Sequence, residues 1–418
     1  MSGESSFRVA IRKFGPFESA IQKIWRSLQE TMGSPLTLDA EALDLNPLYE
    51  SLFTRGGLKD GTWDVAFIVT DWLAEAVDQG ALLDLAPYMR TAPVPDYPQG
   101  WTPSLTQFQH FGDAVYGLPY HDGPECFIYR RDLFENQAEQ RAFEQRFGYR
   151  LDPPHTWEQF HDLARFFTRP EQDLYGTVFA AFPDGHNSVY DFCLQLWSRS
   201  GDLVDSSGAV TLDTPQAAAA LDFYRGMVGD RTATYPEPDA IDSVRSGELF
   251  SQGKVAMMVN WFGFAAASEQ PDSPVKGKVA IAELPSGSMP RKRPAKQATS
   301  ISLSVHWTLA IGSGSRHKDE AYAFLRHACS PEMDKLTTME GAIGCRLSTW
   351  SDPEVNAAIP FYHRLADLTP DARTLPRSSH FPALAHIVDE TVQQAIRSGE
   401  PSADILRHAQ ARAAHIRL

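Results

Sequence analysis

Aromatic and polar side chains stand directly after short apolar runs in this sequence. Asp71 and Trp72 follow one such run, and Asn260 and Trp261 follow another. A ring can pack on the weakly polar C–H face of a polyhydroxylated solute, while carboxylates and amides form hydrogen bonds with its hydroxyl groups. This combination indicates binding of a small polar solute. The alternatives are that Asp71 caps a helix and that the two tryptophans pack in the protein core.

Two turns that contain glycine carry further candidates. Gly123 and Gly185 let a ligand approach the backbone closely, although ordinary polar turns and surface loops have the same composition. Other rings, imidazoles and a guanidinium lie in loops or near strand ends elsewhere in the chain. The complete set of these additional candidates is Tyr120, His121, Asp122, Asp184, His186, Phe14, His306, Trp307, Arg346, His380 and Phe381.

Strands and helices must hold these candidates at a common edge. Short apolar runs alternate with amphipathic stretches, which is typical of strand–helix units in an α/β protein with a parallel sheet. The run Asp64–Val69 predicts a strand covered on both faces, and open sheets of this class bind ligands beyond the carboxyl ends of their strands. The other predicted strands are Phe7–Ile11, Val178–Phe182, Val255–Val259, Val279–Ala282 and Ile301–Ile311. A helix after Gly15 is predicted from the apolar residues Ala20, Ile21, Ile24, Trp25 and Leu28, at spacings of three and four.

Length and charge limit the class of protein. A chain of 418 residues exceeds one ordinary hydrophobic core and predicts two lobes. A formal net charge of -15 argues against a nucleic-acid or anionic-membrane partner. No apolar run approaches the ~20 residues of a membrane-spanning helix, so we expect no span. No leader precedes the first strand, which fits either a mature extracytoplasmic protein or a chain that stays in the cytoplasm.

Sequence patterns typical of enzymes and metal sites are absent. The chain has no G-x-S-x-G elbow, no phosphate-binding loop and no H-E-x-x-H motif, so we predict no enzyme, no cofactor and no metal. A glycosidase carboxylate pair is not excluded, because its separation is a three-dimensional property. The four cysteines form no C-x-x-C pair and are expected to be reduced and buried, with one disulfide as the alternative in an oxidising compartment. The basic segment Pro290–Lys296 is predicted to be an exposed loop.

Ordered motifs along the chain resemble those of family 1 extracellular solute-binding proteins of ABC importers, including the maltose- and oligosaccharide-binding members. Each motif has low specificity alone, whereas their order and spacing together are specific. The resemblance covers nearly the whole chain, from about residue 7 to residue 416. The motifs are Gly61–Phe67 (GTWDVAF), Val115–Tyr120 (VYGLPY), Phe127–Phe134 (FIYRRDLF) and Phe250–Met258 (FSQGKVAMM).

The resemblance implies a type II-like, two-lobed periplasmic-binding-protein fold with the ligand in a cleft between lobes joined by crossing strands. It places residues 1–125 and 297–345 in the N-terminal lobe, and residues 126–296 and 346–418 in the C-terminal lobe. The crossings are expected near residues 126–129, 298–304 and 345–348. This chain departs from the family at Val305 and His306, where many members have two glycines, so we expect a smaller pocket or an added polar contact.

The resemblance also implies a function. We expect a monomeric, periplasmic or extracytoplasmic substrate-binding component that captures a sugar, an oligosaccharide or a sugar derivative by lobe closure. It would deliver this ligand to the permease subunits of an ABC transporter. One alternative is the same fold with a non-carbohydrate ligand, such as a polyol, an amine or another small polar solute. A second alternative is a cytoplasmic sensor or an enzyme on this fold.

Overall fold

The computed structural model describes residues 6–287 and 301–418. The segment Pro290–Lys296 and the boundary predicted near residue 297 lie outside these residues. Among the described residues the strands are β1 Ser6–Arg12, β2 Thr37–Leu43, β3 Val65–Val69, β4 His110–Phe111, β5 Ala114–Val115, β6 Leu118–His121, β7 Glu125–Arg130, β8 Met257–Trp261, β9 Val279–Ala282 and β10 Trp307–Ile311. The α-helices there are α1 Gly15–Met32, α2 Leu45–Tyr49, α3 Thr70–Asp78, α4 Ala86–Thr91, α5 Pro103–Thr106, α6 Arg131–Phe134, α7 Gln137–Phe147, α8 Trp157–Phe167, α9 Asn187–Ser198, α10 Pro215–Gly229, α11 Ser243–Ser251, α12 Phe262–Ala267, α13 Lys318–Ala328, α14 Pro331–Met339, α15 Leu347–Trp350, α16 Pro353–Ala358, α17 Leu365–Asp371, α18 Phe381–Arg397 and α19 Ser402–Ala413.

The chain divides into two compact units. The first unit consists of Met1–Gly123, Ser304–Pro370 and Leu375–Ser379, and the second consists of Pro124–Leu303, Asp371–Thr374 and His380–Leu418. The first boundary therefore lies close to the one predicted at residue 125.

Residues 346–370 belong to the first unit, whereas the sequence resemblance assigned them to the second lobe. Their side chains bond to residues of the first unit. The indole Nε1 of Trp350 donates to the carbonyl of Gly344 over 2.8 Å, and the Tyr362 hydroxyl lies 2.9 Å from Thr338 Oγ1. The first compact unit thus extends to Pro370, beyond the predicted boundary at 345. Short helices such as those in this segment carry no sequence signal for the sheet on which they pack.

A five-stranded sheet in the order β2-β1-β3-β10-β6 forms the centre of the first unit. β1 is parallel to β2 and β3, while β10 is antiparallel to β3 and β6. Every residue of β3 is buried, which confirms the prediction of a strand covered on both faces. The strand predicted at Ile301–Ile311 begins only at Trp307. Before it, Leu303 forms an isolated bridge with Arg373 and does not join the sheet.

Helix α1 buries the apolar face that the sequence predicts, since all five predicted positions are buried. Pro16 lies in the first turn, where its missing N–H leaves no hydrogen bond unmade. The helix ends at Gly33, whose φ of 67° is a left-handed conformation that favours glycine. The ring of Phe7 on β1 stacks on Trp25 with centroids 4.6 Å apart. This stacking fixes the helix on the sheet that carries the first group of candidate site residues.

The second unit contains a three-stranded antiparallel sheet in the order β8-β7-β9. The strands predicted at Val255–Val259 and Val279–Ala282 are confirmed, the former shifted toward its carboxyl end. The strand predicted at Val178–Phe182 is wrong. Thr177, directly before this segment, forms an isolated bridge with Thr234, and the Phe182 N–H donates to the carbonyl of Ile241, but no continuous ladder joins the two points.

All four cysteines are buried, as the sequence analysis expects of small apolar side chains. No disulfide joins them in the described part of the chain. Burial raises the pKa of the Cys193 and Cys329 thiols above the ordinary value, so both thiols stay protonated and unreactive.

Candidate functional site

The sheet of the first unit brings several candidates to one edge. β1 and β3 are parallel, so Phe14 after β1 and Asp71 after β3 leave the sheet at the same edge. Trp307, the first residue of antiparallel β10, is the register partner of both Val69 and His121. The edge therefore combines residues from four strands, in agreement with the rule that α/β sheets place ligand sites beyond strand ends.

Aromatic contacts connect these side chains. The ring of Phe17 lies 5.1 Å from that of Phe14 and 4.8 Å from the imidazole of His121. Trp72 meets Trp307 edge-on at 6.1 Å. Phe14, His121 and Trp307 are partly exposed, whereas Trp72 is only 3% exposed. The partly exposed rings can contact a solute, and the buried tryptophan supports them.

His121 presents a fixed hydrogen-bond donor. Its Nδ1 lies 2.8 Å from the backbone nitrogen of Ile343, so Nδ1 accepts and the ring proton lies on Nε2. Burial lowers the pKa of His121 to about 3, so the ring is neutral at physiological pH. A neutral ring with its proton on Nε2 donates one hydrogen bond, which suits an acceptor oxygen of a ligand.

Asp122, the next residue, is 1% exposed. Its Oδ1 accepts from Ser304 Oγ at 3.0 Å, and its Oδ2 accepts from Thr369 Oγ1 at 3.3 Å. Burial raises the pKa of Asp122 to about 6, and these hydrogen bonds oppose the shift. Both carboxylate oxygens are thus engaged by hydroxyls of the first unit.

The substitution Asp122→Asn is expected to change how stability depends on pH. Between an ordinary carboxyl pKa of about 4 and the raised value, the folded wild type holds a proton that the unfolded chain has lost, so its stability falls as pH rises. The variant lacks this pH-dependent loss of stability. Between pH 4 and pH 7 its free energy of unfolding should therefore rise by on the order of 2 kcal/mol relative to that of the wild type. Urea unfolding at four pH values measures the difference, with the exposed Asp78→Asn as control. Parallel wild-type and Asp122→Asn profiles would contradict the assignment.

The remaining first-unit candidates are enclosed by their own unit. Asp71 is 7% exposed in the first turn of α3, where Val69 is the N-cap and no side chain caps the helix. Tyr120 is 2% exposed, and its hydroxyl accepts from Thr337 Oγ1 at 3.3 Å. His306 is 1% exposed, and its Nε2 lies 3.1 Å from the side-chain amide of Gln109.

Arg346 is also enclosed. Its guanidinium donates to the carbonyl of Cys329 at 2.9 Å and to Asp96 Oδ2 at 2.9 Å, and it lies 4.3 Å from the ring centroid of Trp101. A further donor reaches the carbonyl of Pro95 at 3.1 Å. With a side chain 1% exposed, this arginine holds three separate segments of the first unit together.

In the second unit, two candidates that are distant from each other in sequence, His186 and Trp261, both contact one unpredicted residue. Tyr190 on α9 lies edge-on to Trp261 at 5.6 Å and edge-on to His186 at 5.5 Å. Trp261 ends β8 and is partly exposed. Tyr190 stands one helical turn after His186, a spacing that would have been the only signal for it in the sequence.

Polar candidates of the second unit hold the backbone around these rings. Asp184 Oδ1 accepts from the backbone N–H of His186 at 2.9 Å and of Asn187 at 3.3 Å, which fixes the start of α9. Asn260 Oδ1 accepts from the backbone N–H of Trp261 at 2.8 Å. Phe381 is fully buried at the start of α18. Asp184 and Asn260 therefore position the rings.

Sequence reasoning missed two carboxyl groups in the second unit. Glu125, the first residue of β7, is 4% exposed, and the described residues offer its Oε2 no hydrogen-bond partner. Asp191 on α9 accepts from the Tyr224 hydroxyl at 3.0 Å. Burial and the charge of Asp191 raise the pKa of Glu125 well above its ordinary value, and burial also raises that of Asp191. The signal available in the sequence was a single acidic residue directly before the run Cys126–Tyr129.

Neither a metal cluster nor a membrane span is found among the described residues. No three His, Cys, Asp or Glu side chains of this part of the chain are grouped to hold a metal ion. None of its helices combines the length and apolar character needed to cross a bilayer.

Known proteins resemble this chain in sequence and fold. A probable ABC transporter-binding protein of Deinococcus radiodurans is 26% identical over 283 residues, which is 66% of this chain and 61% of the relative. The mannitol-binding protein of Pseudomonas aeruginosa is 28% identical over 334 residues, 76% of this chain and 69% of the relative. The alignment with the first of these therefore spans less than two thirds of that relative's length.

The structure of maltose-bound MalE3 of T. maritima superposes with a TM-score of 0.84 at 20% identity, covering 98% of both chains. This similarity confirms the two-lobed α/β fold of periplasmic-binding proteins that the sequence resemblance predicts. Residues 45–335 match the family described as bacterial extracellular solute-binding protein. Because this match covers most of the chain, the chain belongs to the family of bacterial extracellular solute-binding proteins.

Proposed function

We propose that this chain is the substrate-binding component of an ABC importer and that its ligand is a sugar, a sugar derivative or a polyol. The observation that carries the proposal is that partly exposed aromatic rings occupy strand ends in each unit, Trp307 in the first and Trp261 in the second. Rings in such positions suit the C–H faces of polyhydroxylated solutes. The names of the relatives, a mannitol-binding protein and a maltose-bound protein, support this ligand class.

Each unit has its own part in the proposed site. Phe14, His121 and Trp307 would contact the ligand from the first unit, and His186 and Trp261 from the second. His121 would donate from Nε2 to a ligand oxygen, since its Nδ1 accepts from the Ile343 amide. The rings would cover the ligand faces. The remaining predicted residues would act indirectly by holding these side chains in place: Asp71, Trp72, Tyr120, Asp122, Asp184, Asn260, His306, Arg346 and Phe381.

Capture would proceed by closure of the two lobes. A ligand with contacts to both units stabilises the closed state by the difference between its contacts in the closed and open states. The closed form would then present its ligand to the permease subunits of the transporter. We further propose that the protein acts as a monomer in the periplasm or on the outer side of the membrane, and that it binds its ligand without transforming it.

A thermal-shift screen tests the ligand class. The panel contains monosaccharides, oligosaccharides and polyols, with amino acids, divalent metals and phosphonates as comparison classes. A ligand present at 100 times its dissociation constant stabilises the native state by about 2.7 kcal/mol, which raises the melting temperature measurably. We expect members of the sugar or polyol class to give the largest increase. An increase with the comparison classes alone would contradict the proposal.

A further inference from the structure

Glu125 and Asp191 form a pair of carboxyl groups inside the second unit, here called the acid pair. The charge of Asp191 acts on Glu125, so the two groups lie within interaction distance. Glu125 is 4% exposed and its Oε2 has no partner among the described residues. Two such groups repel each other when both are ionised. A buried carboxyl group with an unbonded oxygen beside a second carboxyl group is unfavourable for folding alone and is typical of a functional site.

No basic side chain of the described residues forms an ion pair with either member. Asp191 receives one hydrogen bond, from the Tyr224 hydroxyl at 3.0 Å. Arg373, whose charge acts on the neighbouring Cys193, already pairs with Asp202 at 2.6 Å and lies 4.3 Å from the ring centroid of Trp197.

The other groups around the acid pair are acidic or weakly acidic. Besides burial, the charges of Asp191, Asp389 and Glu125 raise the pKa of Tyr224. The charge of Glu125 also contributes to the raised pKa of the buried Cys193 thiol. Among the described residues no cation therefore forms an ion pair with the acid pair, and several of the neighbouring groups are acidic.

A partly exposed aromatic ring adjoins Glu125, one member of the acid pair. Glu125 and Trp261 are directly opposite each other in the antiparallel ladder of β7 and β8, so their side chains lie on the same face of the sheet. Tyr190, the neighbour of Asp191 on α9, meets the Trp261 ring edge-on at 5.6 Å. The face of an indole attracts a cation, and this attraction adds to that of nearby carboxylates. Acidic and aromatic groups thus converge on one place in the second unit.

We propose that the acid pair and Trp261 bind a protonated amine, and that the ligand is therefore an amino sugar or an amino polyol. This inference rests on the proposed function and narrows it to a cationic subset of the same class. The ammonium group would donate hydrogen bonds to the two carboxylates and place its positive charge beside the Trp261 ring. The hydroxyl groups would bind as in the proposed function.

Amine binding should release a proton. In the empty protein the raised pKa values leave the acid pair partly protonated, whereas a bound ammonium favours ionisation of both carboxyls. The proton passes to the buffer. Affinity for the amine should accordingly rise with pH from about 5 to about 8, because more of the empty protein is already deprotonated at the higher pH.

Calorimetric titration with matched ligands tests this inference. The probes are D-glucitol and 1-amino-1-deoxy-D-glucitol, and D-glucose and D-glucosamine, in buffers of different ionisation enthalpy. The amino member of at least one pair should bind about tenfold more tightly or better, with proton release. Equal or tighter binding of the neutral members overturns the amine assignment and leaves the proposed function intact. Failure of every sugar and polyol, charged or neutral, overturns the proposed function and this inference with it.

Substitutions in the acid pair test whether these two residues cause the preference for the amine. Asp191→Asn keeps an acceptor for the Tyr224 hydroxyl and should reduce the amine preference to near one, as should Glu125→Gln. The control is Glu269→Gln, a second carboxyl of the same unit whose Oε2 accepts from the Gly277 backbone. The readout is the ratio of the affinity for the amino ligand to the affinity for its neutral counterpart. A general loss of structure lowers both affinities and does not change this ratio selectively. A preserved ratio in both variants overturns the assignment, and if either fails to fold, wild-type proton release decides.

Discussion

Trp261→Ala is expected to weaken ligand binding by about 30-fold, equivalent to ~2 kcal/mol, with little change in the melting temperature of the empty protein. The ring ends β8, is partly exposed and forms a T-shaped contact with Tyr190, so we expect its removal to cost less stability than the removal of a fully buried ring. Its loss should appear mainly as the loss of a stacking surface for the ligand. Titration of the best ligand from the thermal-shift screen measures the change.

Trp72→Ala is the matched control for this prediction. Trp72 is 3% exposed and packs against Tyr49, Phe53 and Trp307. Removing a buried ring should lower the free energy of unfolding by about 3–5 kcal/mol. If Trp261→Ala were destabilised to a similar extent and bound its ligand normally, the ring would belong to the core and not to the site.

Arg346→Ala is expected to lower the free energy of unfolding by about 3 kcal/mol, while the folded fraction keeps its ligand affinity. The substitution removes hydrogen bonds to two carbonyls and to Asp96, and leaves a cavity beside Trp101. Asp96 itself is 69% exposed, so water can solvate its carboxylate after the cation is removed. Most of the loss should therefore come from the unpaired carbonyls and the cavity.

Two measurements check the Arg346 prediction. Urea unfolding gives the change in stability, and titration at a low temperature gives the ligand affinity of the folded variant. Asp96→Asn should lower the free energy of unfolding by less than about 1 kcal/mol, because exposed ion pairs contribute little to stability. A stable Arg346→Ala variant with strongly weakened binding would show instead that the guanidinium contacts the ligand, as the sequence pattern alone had indicated.

The elements with regular apolar spacing could be predicted well from the sequence. The buried face of α1 and the fully buried β3 depend on local periodicity, and both were confirmed. The segment Val178–Phe182 has the composition of a strand, yet its hydrogen bonds depend on distant carbonyls that no local pattern reveals. The same limit applies to residues 346–370, whose assignment to the first unit depends on tertiary contacts.

The site could be predicted only in part. Candidates located beyond strand ends, such as His121 and Trp261, do lie at sheet edges and remain partly exposed. The sequence could not show that Arg346 would be enclosed, because burial depends on which segments fold over a side chain. The acid pair was missed for a similar reason. Glu125 and Asp191 are far apart in the chain, and only the tertiary fold of the second unit brings them within interaction distance.

The most direct test of the central claim is a crystal structure grown with the sugar or polyol that most increases the melting temperature. We expect the ligand to be in contact with the Trp261 ring of the second unit and with Nε2 of His121 of the first. A ligand bound elsewhere, with both of these side chains facing solvent, would contradict the proposed site.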